Sequence, residues 1–196
     1  MLNGAKVRCR KTALQEIAGS LPPHISEYLR REYAEATILS CEGRFTEIFV
    51  LSEELAKVVE KIIAQGLTPY SAGLYLGRLR KGKPSFIPSI NILQEIYQRT
   101  GEVVNALVVA EEGLKPFLYG GDVLRKSVVS CRQPIRKGDV VAVLGTDMRV
   151  YGLGISKIDG CEELEKRKDL DEIASNLFDV GWYIRGEARK ERKYKA

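Results

Sequence analysis

The side chains of this chain that can act on another molecule are cations and aromatic rings. Lys115, Arg125, Lys126, Arg132, Arg149 and Lys157 fall in one stretch, and Arg185, Arg189, Arg192 and Lys193 lie near the end. Tyr119, Tyr151 and Trp182 are interleaved with them. Lysine and arginine neutralise phosphates, and flat rings stack on unpaired bases. The pattern points to recognition of single-stranded or looped nucleic acid rather than to bond-making. Charge placement agrees. From Lys115 to Lys157 eight Lys and Arg stand against three acids, a balance of +5. From Ile158 to Val180 three stand against eight, −5, and from Gly181 to Ala196 six stand against two, +4.

Residue patterns that would carry catalysis are not found. No G-x-x-x-x-G-K-[ST] loop, no G-x-G-x-x-G after a strand and no G-x-S-x-G elbow occurs. Gly152-Leu153-Gly154 reads as a bend in a strand. The one histidine, His24, stands beside prolines and reads as a surface residue. We therefore expect no catalytic residue, no cofactor and no enzyme activity. Cys9, Cys41, Cys131 and Cys161 lie at least 30 residues apart and form no C-x-x-C pair. No metal site is expected from that spacing, and the four read as free or buried thiols in a reducing cytosol. No apolar run approaches the roughly 20 residues that span a bilayer. The basic N-terminus lacks the apolar block of a secretory signal. A cytoplasmic, soluble protein is the expectation.

Regular elements have to position these groups. The chain has 196 residues, 44% hydrophobic and 29% charged, enough for two small domains with cores of their own. Thr12-x-x-Gln15 reads as a capping box, and Pro22-Pro23 opens a helix over about Ile25 to Ala34. Ala36 to Cys41 and Phe45 to Leu51 read as a hairpin around Gly43. Ser52 caps a helix with an apolar stripe at Leu55, Val58, Val59, Ile62 and Ile63. Ala72 to Lys81 reads as a strand with Arg78, Arg80 and Lys81 gathered at its end. Ser89 caps a further helix that Gly101 stops. Beyond Gly101 the pattern turns to strands: Val103 to Val109, Lys126 to Cys131, Asp139 to Leu144, Arg149 to Ile155 and Gly181 to Arg185. Pro116 is expected to start an extended piece, Tyr119 to Asp122 a sharp turn, and Cys161 to Lys168 a solvated helical excursion.

The second half resembles a known module. Phe117-Leu118-Tyr119-Gly120, Val123-Leu124, Gly152-Leu153-Gly154-Ile155 and Val180-Gly181-Trp182-Tyr183-Ile184-Arg185 follow one another in the order of the PUA domain of the ribosome-biogenesis family called Nip-seven. Upstream, Phe49-Val50-Leu51-Ser52-Glu53 resembles that family's strand-to-helix step. The resemblance implies an α+β fold with an N-terminal α/β domain at 1–101. A PUA-like mixed β pseudo-barrel at 102–187 and a basic tail at 188–196 follow. It also implies binding of precursor rRNA during large-subunit assembly, with other assembly factors as partners. Four Asn and five Gln fit an archaeal or thermophilic source. Two other readings stay open here. One is an RNA-modification enzyme or its specificity subunit. The other is a protein-docking adaptor working through Leu76 and Leu79 or Phe86 and Ile87.

Overall fold

The structure, a computed structural model, describes residues 8–69, 71–80, 85–183 and 185. The chain divides into two compact units, residues 1–101 and 102–196. The fold is mixed α and β, with an N-terminal α/β region and a curled half-barrel sheet after it.

The first unit is built on a five-stranded antiparallel sheet in sequence order: β1 (Arg8–Thr12), β2 (Thr37–Glu42), β3 (Thr46–Leu51), β4 (Leu74–Leu79) and β5 (Phe86–Pro88). The β2–β3 hairpin is closed by Gly43 N–H donating to the Phe45 carbonyl at 2.9 Å. Helices α1 (Leu14–Ala18), α2 (Pro23–Glu32), α3 (Glu53–Ala64) and α4 (Ile90–Thr100) join the strands. The Ser52 hydroxyl accepts from Leu55 N–H and caps α3, and Ser89 does the same for Ile92 in α4. Gly101 ends α4 with φ of 73°, where a side chain would be strained. Leu39, Cys41, Phe49 and Leu51 pack with Ala56 and Val59 of α3. Ile38, Ile48 and Leu76, which alternate with them along the strands, are also buried.

Two expectations change here. Thr12 belongs to β1, and its hydroxyl bonds to Ser40 at 2.7 Å. The α1 start is instead held by Glu16 accepting from Ala13 N–H at 3.1 Å. Leu76 and Phe86 are buried, so neither is a surface anchor for a docking partner. His24 is half-buried, and burial pulls its imidazole below the ordinary value.

The second unit is a six-stranded sheet ordered β7 (Val123–Leu124), β11 (Glu172–Asp179), β10 (Val150–Ser156), β9 (Val140–Gly145), β6 (Ala106–Val109) and β8 (Val128–Arg132). β6 runs parallel to β9, and the other pairings are antiparallel. Leu107, Phe117, Val123, Val141, Val143, Ile158 and Ile173 fill the core. Helix α5 (Glu111–Leu118) follows β6 and includes Pro116, so that proline lies inside a helix rather than opening an extended piece. Val180–Tyr183 is a short 3-10 helix, and the strand in this region is β11 just before it. Cys161–Lys166 is also 3-10, and it is not a fully solvated excursion, because Leu164 joins the core. Two 3-10 turns thus replace an expected strand and an expected helix.

All four cysteines are paired, which corrects the free-thiol expectation. Cys9 joins Cys41, and Cys131 joins Cys161. Cys9 and Cys41 are direct cross-strand neighbours in β1 and β2, and Cys161 returns over β8 to reach Cys131. Among the described residues no helix is long and apolar enough to cross a membrane.

Glu95 accepts hydrogen bonds from the hydroxyls of both Tyr28 and Tyr33, and the Tyr75 hydroxyl donates to Glu47. Burial, with these carboxylate bonds, pushes the Tyr33 and Tyr75 phenols up to about 12 from an ordinary value of 10.0, and Tyr28 shifts the same way. A phenol whose value is raised by folding favours the folded state fully below the unfolded value and loses that contribution as pH climbs through the folded one. Stability should therefore hold up to pH 10.0 and fall between there and about 12, with phenolate absorbance rising late. A pH-dependent melting series flat across that window would contradict this. The Cys131–Cys161 bond closes a separation of 30 residues. Replacing both cysteines by serine should lower stability by about 2–4 kcal/mol, read from the denaturant midpoint.

Candidate nucleic-acid interface

The site begins where α5 stops. Gly120 has φ of 83°. Its N–H donates to the Phe117 carbonyl at 2.8 Å, and Gly121 N–H donates to the Pro116 carbonyl at 2.9 Å. These two bonds around a left-handed glycine form a Schellman cap. An L-residue at Gly120 would carry a penalty of roughly 1–2 kcal/mol. The cap turns the chain sharply and leaves Tyr119, the residue just after the helix, 69% exposed. Lys115, one turn earlier, is exposed as well.

The end of β11 is locked against this cap. A side-chain carbon on Gly181 would lie 2.1 Å from the Leu118 carbonyl oxygen, so the two backbones are in direct contact. Tyr119 and Trp182 are the chain neighbours of that contact. Trp182 is 61% exposed, and its ring lies 6.4 Å from that of Phe178. Beneath them, Gly152 makes room for the buried Phe117 ring; a Cβ there would stand 2.6 Å from Phe117 Cε1.

Asp179 holds the arrangement. Its carboxylate is 2% exposed and accepts both Nη groups of Arg185, at 2.8 and 2.9 Å. Asn176 Nδ2 donates to it at 3.2 Å and to the Phe117 carbonyl at 2.9 Å. Asn176 N–H donates to Asp122 Oδ1 at 2.8 Å. One network thus joins β11, the end of α5, the turn after it and the terminal 3-10 helix.

The other candidate residues fall in different places. Arg125 is half-buried, and its Nε donates to the Leu164 carbonyl at 2.7 Å. Lys157 pairs with Glu172. These two cations pin the acidic segment to the sheet. Lys126 is exposed beside Arg125. Arg132 is half-buried, with Nη2 4.0 Å from Met148 Sδ, and its Nε has no hydrogen-bond partner among the described residues. Arg149 is exposed at the β9–β10 turn, 3.7 Å from Asp147. Tyr151 is half-buried, and its hydroxyl donates to the same Asp147, which pushes the phenol up. A Cβ on Gly145 would meet both the Tyr151 ring and Leu114 of α5, so this hairpin end abuts the helix. Arg189, Arg192 and Lys193 lie outside the described residues.

The backbone contact thus brings the chain at Leu118 and Gly181 together, with Lys115 exposed one turn back on α5, and the charge of Arg185 is engaged by Asp179. Asn176, Asp179 and Phe178 do not stand out in the sequence. The alternation of Asn176 and Phe178 within Ile173-Ala174-Ser175-Asn176-Leu177-Phe178 is the available signal, obscured by the acids around it.

Residues 105–188 match the family described as the UPF0113 PUA domain. Among curated proteins none matches the chain. Among solved structures, a hypothetical protein from Pyrococcus horikoshii OT3 is 17% identical with a TM-score of 0.60, covering 90% of this chain and 99% of its own. A conserved PUA domain protein from Thermoplasma acidophilum is 15% identical with a TM-score of 0.57, covering 89% and 95%. A PUA domain from Aeropyrum pernix K1, solved as a tartrate complex, is 15% identical with a TM-score of 0.58, covering 90% and 88%. At these identities the likeness is one of fold, and the PUA domain is a general RNA-binding fold.

Removing one partner of a buried ion pair leaves the other unpaired in a low dielectric. Asp179→Ala should accordingly lower stability by about 3–5 kcal/mol, and Asp179→Asn by less, since the amide oxygen still accepts. Urea denaturation of the three proteins checks the order.

Proposed function

We propose that this chain is a non-catalytic RNA-binding factor of ribosome biogenesis, holding single-stranded or looped segments of precursor rRNA during large-subunit assembly. The observation that carries the reading is that Tyr119 and Trp182 are both exposed and flank the Leu118–Gly181 backbone contact, with Lys115 exposed one turn back on α5. Two exposed rings offer stacking platforms to unpaired bases, and a nearby ammonium offers a point charge to phosphate. Both rings are more than half exposed, and stacking on an unpaired base would use that surface. The ordered phrases resembling the Nip-seven family supply the setting, including other assembly factors as partners and a cytoplasmic site of action. Lys126 and Arg149, both exposed, extend the phosphate-tracking surface on this reading. The tail cations Arg189, Arg192 and Lys193 add to it in sequence.

Binding to an unstructured RNA should weaken steeply as salt rises, because neutralised phosphates release counterions. Tyr119→Ala and Trp182→Ala should each lose about 1–3 kcal/mol of binding with the salt slope unchanged. Lys115→Ala should reduce the slope by about one unit. Fluorescence anisotropy across a salt series reads all three. A flat salt response, or wild-type affinity in both ring variants, overturns the reading. RNA crosslinked to the protein in cells tests the setting, and precursor rRNA is the species expected.

A further inference from the structure

Charge is distributed unevenly between the two units. Residues 1–101 carry 14 Lys and Arg against 10 Glu and no Asp, a balance of +4. Residues 102–196 carry 17 against 16, a balance of +1. The unit without the PUA match is therefore the more basic one.

Part of that excess collects at one corner of the five-stranded sheet. Phe45, half-exposed at the β2–β3 turn, has the Arg44 guanidinium 5.5 Å and the Arg78 guanidinium 5.2 Å from its ring centroid. Arg44 is exposed and Arg80 is half-exposed. The register Glu47↔Arg78 and Thr46↔Leu79, carried one step further, sets Phe45 opposite Arg80. Arg78 is fixed from the other side by Tyr75, whose hydroxyl lies 3.4 Å from Nε, and by Glu47 at 3.8 Å. Two guanidinium groups thus stand over one ring, and Arg80 follows Leu79, the last residue of β4, at the same end of the sheet.

This geometry has a chemical meaning. A guanidinium stacked on a ring is held in place while its N–H edge stays able to fork onto phosphate oxygens. Ordering the side chain beforehand reduces the entropy lost on binding. A cation–π contact is modestly stabilising by itself at an exposed site, and it also fixes the direction in which the guanidinium edge faces. We propose that the corner formed by Arg44, Phe45, Arg78 and Arg80 is a second contact for the RNA backbone, independent of base sequence. It rests on the RNA-binding reading above and extends it to the N-terminal unit. RNA engaged by one unit is presented to the other at high effective concentration, so modest contacts here add to overall affinity.

The test uses the full chain and an oligouridine long enough to reach both units. Arg44→Gln with Arg80→Gln leaves the Arg78 bonds to Tyr75 and Glu47 intact, so the sheet should fold as before, which far-ultraviolet circular dichroism and melting check. Binding should weaken roughly tenfold at low salt and the salt slope should fall by about two units, one for each phosphate no longer neutralised. Adding Arg78→Gln should lower the slope further. Wild-type affinity and slope in the folded double variant overturn the proposal. So does unchanged RNA binding combined with lost binding of polyglutamate, which would make the corner a dock for acidic protein. The Tyr119→Ala, Trp182→Ala variant separates the two claims. If it alone loses RNA, the PUA-like site stands and this one falls; if only the arginine variant loses RNA, the reverse holds. Absence of RNA binding by the wild-type chain overturns both.

Discussion

A carboxylate taken out of water must be matched by donors, and at Asp179 that requirement organises the C-terminal unit. Its two oxygens take the planar fork of Arg185, and Asn176 fills the remaining space. Because Asn176 also reaches the Phe117 carbonyl, the same network anchors the end of α5. The fork geometry suits guanidinium and not ammonium, so lysine could not replace Arg185 without losing one bond. A buried pair of this kind contributes little net stability compared with an apolar pair, since desolvation opposes it. What it supplies is position. It ties Arg185, just beyond the 3-10 helix, to β11, and β11 to the end of α5.

Much of the first unit is legible in the sequence because its signals are local. Ser52, Ser89 and Gly101 act within one helical turn of themselves, and the β2–β3 hairpin needs only its own turn. β1 is hidden because Arg8, Arg10 and Lys11 make it read as a charged coil; it is an edge strand, where such residues are tolerated and useful. α5 is hidden for another reason. Gly113 and Pro116 give it poor helix propensity, and it forms because Phe117 is buried in the sheet core. β11 lies among acids whose charge masks the alternation beneath. The cysteine pairs are illegible in principle, because their partners are brought together by strand pairing and by a returning segment.

The site is legible in its residue types and less so in its grouping. Tyr119, Lys115 and Trp182 stand out by type, and the structure leaves all three exposed. Arg125 and Lys157 look equivalent to them in sequence, yet each faces the acidic segment, where Leu164 and Glu172 engage them. Formal charge counts cannot separate a cation that meets solvent from one that pins a loop. The same applies to the acids, since Glu163 is held by Arg167, which keeps its carboxyl below the ordinary range.

The two disulfides each lie wholly within one unit, with separations of 32 and 30 residues. Four cysteines can pair in three ways. On a growing chain the choice narrows by order of arrival. Cys9 and Cys41 are both made, together with the β1–β2 partners that align them, well before Cys131 exists. A first unit that folded and oxidised as it emerged would therefore meet only its own correct partner. Cys131 and Cys161 are then the only thiols left. In that case the order of synthesis would sort the pairs, and a circular permutation opening the chain between Cys131 and Cys161 would remove the sorting, because Cys161 would then precede Cys9 and Cys41.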